Sequence, residues 1–175
     1  MTIFYSRILF IALIITSFSA QGQCDFKSKI ASDGNLYYYI RPENFYWTKT
    51  KSLSGGIVTD KEYYYLLMLP KPFPVKNEGR KLKEDLQVRL ANDSLYNLEF
   101  YYVDYDRNDT VMEMMYLIDK KDLNDFVRLE ITQVMINMGG EEQVRTYNLK
   151  LHKNALQDQL NCFLEEKKST KKKEE

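Results

Sequence analysis

Histidine is almost missing from this chain of 175 residues; His152 is the only one. Any catalytic system built on an imidazole base must therefore use it. It stands between Leu151 and Lys153, and no G-x-S-x-G nucleophile signature occurs in the chain. Cysteine is nearly as scarce, with Cys24 and Cys162 at opposite ends. Two distant cysteines and one histidine offer no zinc-ligand spacing, so no metal or other cofactor is expected. Glycines are few, and the Gly55-Gly56 pair is followed by neither a P-loop Lys-Ser/Thr nor Rossmann spacing. It reads as a turn. Net charge is also absent, with 25 basic against 25 acidic residues. No global field draws the chain to nucleic acid or to an anionic membrane. Carboxylates are plentiful, but no spacing sets an acid pair across a cleft, so a glycosidase reading has no specific support.

Long apolar runs are missing too, except at the start. The first twenty residues carry one charged side chain, Arg7, followed by ILFIALIITSFSA. A short basic region, about a dozen apolar residues and a small-residue exit make a secretory signal peptide. The run falls short of the ~20 residues a transmembrane helix needs. Residues 1–22 are read as this signal, with cleavage after Gly22 giving an Ala-x-Gly exit. The mature chain is then exported to the periplasm or beyond, with no transmembrane segment. Cys24 has three possible uses: a lipid anchor, half of a disulfide or a free thiol. A lipoprotein cleavage box ends in a small residue, and here Gln23 precedes the cysteine, which argues against the anchor. An oxidising compartment favours pairing with Cys162. Such a bridge closes a loop of roughly 140 residues, worth about 4–5 kcal/mol in the chain-entropy model.

The rest of the chain mostly alternates with the period of half-buried strands. Leu36–Ile40 and Tyr63–Leu69 are β-prone runs, the second stopped by Pro70, Pro72 and Pro74, which lack a ladder donor. Leu86–Leu90 and Leu98–Tyr102 flank Asn92-Asp93-Ser94 and predict a hairpin. Val111–Ile118 places Met112, Met114, Tyr116 and Ile118 on one face. Asp119 is positioned to cap a short helix through Phe126 and Val127. Ile131–Met138 and Val144–Leu151 flank the hairpin turn Gly139-Gly140. Asn154 and Gln157 have capping-box spacing, and Leu156, Leu160 and Phe163 form an i, i+4, i+7 stripe. The expected fold is α+β and strand-rich. It has a twisted antiparallel sheet of about six to eight strands, a short internal helix and a C-terminal helix packed on the sheet. A single domain covers 23–166, and the charged segment 167–175 reads as a disordered tail.

Asp104-x-Asp106-x-Asn108 matches the first three oxygen positions of a calcium loop. The required Gly is then Asp109 and the bidentate Glu is Met115. It is a weak metal candidate. Tyrosine is abundant, at 14, and comes in runs at 37–39, 63–65 and 101–102. Successive strand residues face opposite sides, so each triple run puts aromatic surface on both faces. One face is core, and the other is either covered or exposed as a platform for a sugar or a partner. Tyr38 and Tyr64, the central members, share one outcome, with Trp47 as a natural companion.

Two tripeptides, Asp93-Ser94-Leu95 and Asp109-Thr110-Val111, resemble the acceptor for O-glycosylation of exported proteins in Bacteroidetes-type bacteria. The exit SAQGQ, the Cys-Asp-Phe start and the ending YNLKLHKNALQDQLNCFLEE resemble a group of small exported proteins of such bacteria. That resemblance implies a location and a terminal-to-terminal cysteine pair, and carries over no catalytic residue. The expected function is a periplasmic or cell-envelope module, not an enzyme, that binds another protein or a glycan, with an aromatic sheet face as the candidate surface. Two alternatives stay open: a hydrolase with a carboxylate or His152 site, and an inhibitor or immunity-type protein using the loop Pro70 to Pro74.

Overall fold

A computed structural model describes residues 24–72, 84–106, 111–138 and 144–174. The first half contributes strands β1 (Lys27–Ile30), β2 (Leu36–Tyr39), β3 (Glu43–Trp47), β4 (Ser52–Thr59) and β5 (Tyr64–Lys71). β6 (Leu86–Leu90), β7 (Leu95–Asp106) and β8 (Val111–Ile118) follow, then helix α1 (Leu123–Arg128). β9 (Ile131–Asn137), β10 (Val144–Asn148) and helix α2 (Ala155–Glu174) complete the described chain. The strands form one antiparallel sheet in the order β1-β2-β4-β5-β8-β7-β6-β9-β10, with β3 also paired to β4. Among the described residues the sheet thus has ten strands rather than six to eight.

β4 is one of three strands, with β1 and β3, that the sequence pattern did not show. Its Gly55 and Gly56 lie in mid-strand, opposite Met68 and Leu67, and not in a turn. A side chain at Gly55 would collide with the Leu67 carbonyl oxygen and with Met68 Cε at 2.9 Å. The glycines are there for close approach of neighbours, a role that a sequence cannot distinguish from turn chemistry. Between them and Thr59 the strand also changes partner. β3 pairs it up to Gly55, and β2 from Val58 onward. The Ile57 N–H falls in the gap and donates to Gln159 Oε1 at 2.7 Å, while Gln159 Nε2 donates to the Arg41 carbonyl at 3.1 Å. A buried glutamine on α2 therefore completes the backbone hydrogen bonding of the sheet.

β7 bends the sheet. Its first residues pair with β6, those from Glu99 onward pair with β8, and the register shifts between Phe100 and Tyr102. Bulges bend and twist a strand, and here the two halves turn toward a shared core. Leu66, Met68, Met112, Met114 and Tyr116 from one half meet Leu86, Val88, Val134, Ile136 and Tyr147 from the other. Phe126 of α1 and the predicted stripe Leu156, Leu160 and Phe163 of α2 join them. The curl nearly closes, because the Phe45 carbonyl accepts the N–H groups of Lys150 and Leu151. β5 runs through Pro70 to Lys71 and does not stop before it. Its pairing with β8 ends at Met68, so Pro70 needs no donor on that side.

The opposite face of the first half holds a second cluster of Tyr37, Val58, Tyr65, Leu67 and Met115. The β1–β2 hairpin folds over it, fastened by the Lys29–Glu113 ion pair and by Ser32 to the Tyr102 hydroxyl. Cys24 and Cys162 are joined in a disulfide spanning 138 residues of sequence, with Cα atoms 5.9 Å apart. The Phe26 ring packs 5.0 Å from Phe163 beside it. α1 starts at Leu123 with Asp122 at its cap, one turn after the expected Asp119. α2 continues to Glu174 and takes in the charged segment from Lys167. Lysine and glutamate propagate a helix readily once packing has nucleated it.

Candidate functional site

A cleft with a buried aromatic floor lies between α2 and the strands β2, β4 and β5. It has a volume of about 230 Å³ and is lined by Tyr38, Thr59, Lys61, Tyr64, Phe163 and Lys167, with Glu166 at its edge. Tyr64, Thr59 and Phe163 are buried and form the base; Tyr38 is half-buried; both lysines are exposed. Tyr38 stands directly opposite Thr59, and Tyr64 is the residue on β5 that pairs with Thr59. The sheet therefore sets these three side by side in one row across three strands.

The turn from β4 to β5 fixes the first lysine. Thr59 Oγ1 donates to the Tyr63 carbonyl at 2.6 Å and accepts the Lys61 N–H at 2.9 Å. Asp60 Oδ1 accepts the N–H groups of Glu62 and Tyr63. Lys61 takes the left-handed backbone, at φ 80, that this turn requires. Its ammonium lies 4.6 Å from the centre of the Tyr38 ring. Lys167 Nζ donates to the Lys61 carbonyl at 3.2 Å and lies 5.9 Å from the Tyr64 ring centre. Two cations thus converge on two aromatic faces. Burial, and secondarily the negative charge of Glu166, holds the Tyr64 hydroxyl above its ordinary pKa.

Tyr38 and Tyr64 stand in one row across the sheet, on either side of Thr59, and Trp47 lies elsewhere. Trp47 pairs with Ser52 at the other end of β4. At about 3.3 Å per residue that is roughly 23 Å from Thr59. It is 71% exposed. The flanking tyrosines form no open platform. The Tyr37 hydroxyl donates to Asp33 Oδ2 at 2.9 Å and lies 3.0 Å from the Tyr101 hydroxyl. The Tyr65 hydroxyl donates to Asp60 Oδ2 at 2.9 Å, and its ring centre lies 4.4 Å from that of Tyr101.

Burial raises the pKa of Tyr37 and of Tyr65 well above the ordinary value near 10, and hydrogen bonds to Tyr101 and to the carboxylates add to it. Burial raises Tyr116 likewise. A tyrosine that keeps its proton in the folded state contributes stability that is complete below the unfolded value and lost as pH rises above it. The melting temperature should therefore hold from neutral pH to about pH 9 and fall progressively above about pH 10. Scanning calorimetry across that range checks this, and a flat profile to about pH 11.5 would contradict it.

His152 is exposed in the turn that enters α2, with φ 46, and its carbonyl accepts the Ala155 N–H. The shallow depression around it is lined by Glu130, Lys153, Asn154, Ala155 and Asp158. None of these carries a hydroxyl or thiol nucleophile, and both cysteines are tied up in the disulfide. Asp104 and Asp106 belong to strand β7, with the Asp104 carboxylate accepting the Tyr105 N–H, while Asn108 lies outside the described residues. Among the described residues no three metal-ligating side chains come together. Ser94 sits in the β6–β7 turn and donates to Asn92 Oδ1. Thr110 and the prolines' loop from residue 73 onward lie outside the described residues. A wider depression on the outer face of β6, β7 and β9 presents Glu84, Asp85, Gln87, Asn97 and Asn137. It lacks the buried aromatic base of the α2 cleft.

Sequence pattern did not single out Lys61, Lys167, Phe163 and Thr59 as neighbours of Tyr38. One signal was present: Phe163 and Lys167 are four apart on a helix and share a face. Among the described residues no helix is long and apolar enough to cross a membrane. Comparison with protein-family models, curated proteins and solved structures finds no match for this chain.

Proposed function

We propose that this protein is an exported, disulfide-fastened binding module of the cell envelope, and that its ligand occupies the cleft between α2 and the β2–β4–β5 row. The observation that carries this reading is the cleft's construction. A buried base of Tyr64 and Phe163 meets a half-buried Tyr38 wall and a rim of two lysines. A concave apolar base with a few directed polar groups is the general form of a small-ligand site. The disulfide stands next to Phe163 on α2 and suits an oxidising compartment. Binding is favoured over hydrolysis because His152 is exposed, takes no part in lining this cleft, and has no hydroxyl or thiol nucleophile beside it.

The test uses the oxidised mature chain and a panel of monosaccharides and single-ring compounds, read by saturation-transfer NMR. Compounds that bind should lose most of their signal with Tyr38→Leu, which keeps apolar bulk and removes the ring. Circular dichroism verifies that this variant is folded. Binders indifferent to Tyr38→Leu but lost with His152→Ala would contradict the proposal, as would turnover of any panel member.

A further inference from the structure

The geometry points to the chemical class of the ligand: a single ring bearing a negative charge, with the ring between Tyr38 and Tyr64 and the anionic group at Lys61 and Lys167. This rests on the cleft being the binding site, and goes further by specifying what fits.

The size sets the first limit. At about 230 Å³ the cleft is smaller than the roughly 300–1,000 Å³ that encloses a drug-sized molecule. A single ring with its substituent occupies most of such a space, and a drug-sized molecule does not fit. The base sets the second. Tyr64 and Phe163 are 6% and 3% exposed, and Thr59 is occupied on both sides by its own turn, donating to Tyr63 and accepting from Lys61. Thr59 therefore has no hydrogen left to donate to a ligand, and what the base chiefly offers is aromatic and apolar contact. Such a surface takes a flat ring or the C–H face of a sugar.

The rim supplies the charge. Two lysines and one glutamate border the cleft, for a net positive charge. The Lys61 ammonium is held over the Tyr38 ring, and the Lys167 ammonium is anchored on the Lys61 carbonyl. Each ammonium keeps donors beyond these contacts, since –NH₃⁺ carries three. A carboxylate or sulfate at the mouth would accept them while its ring covers the tyrosines. A bare anion would gain only the exposed ammonium groups, which are weak on their own. A neutral ring would gain only the base. An acidic sugar and an aromatic acid share the required chemistry.

The experiment titrates the oxidised mature protein, by amide NMR, with methyl glucuronide and benzoate. Their neutral counterparts, methyl glucoside and benzyl alcohol, and ring-free acetate serve as comparisons. We expect both ring acids to bind more tightly than their neutral partners, and acetate not to bind measurably. In Lys61→Gln/Lys167→Gln the ring acids should weaken by about tenfold, while the neutral rings hold. Raising salt should weaken only the acids. Preference for methyl glucuronide or for benzoate identifies which source of ring acid the site suits. Equal binding of acids and neutral rings, unaffected by the double substitution, would overturn the inference and leave the cleft reading intact, provided that Tyr38→Leu still weakens both. Loss of neither class with Tyr38→Leu would overturn the cleft reading itself and the inference with it.

Discussion

Gly55→Ala should destabilise the protein by about 3 kcal/mol, the upper end of what overpacking a core typically costs. Gly55 is buried in β4, between β3 and β5. A Cβ there would approach the Leu67 carbonyl oxygen at well under 3.0 Å, with Met68 Cε at 2.9 Å and a Phe45 ring carbon at 3.2 Å. A methionine end can swing aside. A backbone carbonyl in the neighbouring strand cannot move without dragging the β4–β5 ladder, the longest unbroken register on this side of the sheet. Gly34 supplies the internal comparison. It has φ +84, and nothing lies within 4 Å of the place a Cβ would take, so Gly34→Ala should cost only the left-handed strain, about 1 kcal/mol. Urea denaturation of the parent and both variants checks the ranking. Equal midpoints for Gly55→Ala and Gly34→Ala would show that the crowding at β4 is absent.

The Cys24→Ala/Cys162→Ala pair should cost about 5 kcal/mol, from the unfolded-state freedom that a crosslink over 138 residues removes. Because typical domains are stable by only about 5–15 kcal/mol, the doubly substituted protein should melt far below the parent or populate unfolded chain at 37 °C. The crosslink also has a local task. It fastens the segment before β1 to α2, next to the Phe26–Phe163 ring contact. Phe163 forms the base of the cleft, so ligand affinity should fall together with stability. Mass spectrometry gives an independent check: the protein should gain the mass of two hydrogen atoms on reduction. A melting temperature within about 2 °C of the parent would contradict the stabilising role.

The sheet was legible wherever alternation was strong. Met112, Met114, Tyr116 and Ile118 fall in one core cluster as their period demanded, and the Leu156–Leu160–Phe163 stripe packs beside them. The hairpin through Asn92–Ser94 is present, with Asp93 in the left-handed region. Legibility failed where local chemistry has two uses. Gly55-Gly56 suits a turn and equally a strand pressed by neighbours, and only the neighbours decide. The tyrosine runs correctly implied aromatics on both faces, yet coverage by the β1–β2 hairpin depends on Lys29 reaching Glu113 and Ser32 reaching Tyr102 across the fold. Lys167 looked like part of a solvated tail, because nothing in KKSTKKKEE announces that its first lysine returns to the Lys61 carbonyl. Sites assembled from residues about a hundred positions apart are set by packing, which local pattern does not encode.

The most direct measurement is an amide chemical-shift map of the oxidised protein, residues 23–175, with methyl glucuronide. If the ligand sits in the α2 cleft, saturable shifts will be confined to the row of Tyr38, Thr59 and Tyr64, the Lys61 turn and the Phe163–Lys167 stretch of α2. Shifts centred on His152 and Glu130, or on Trp47, with that row unmoved, would contradict it.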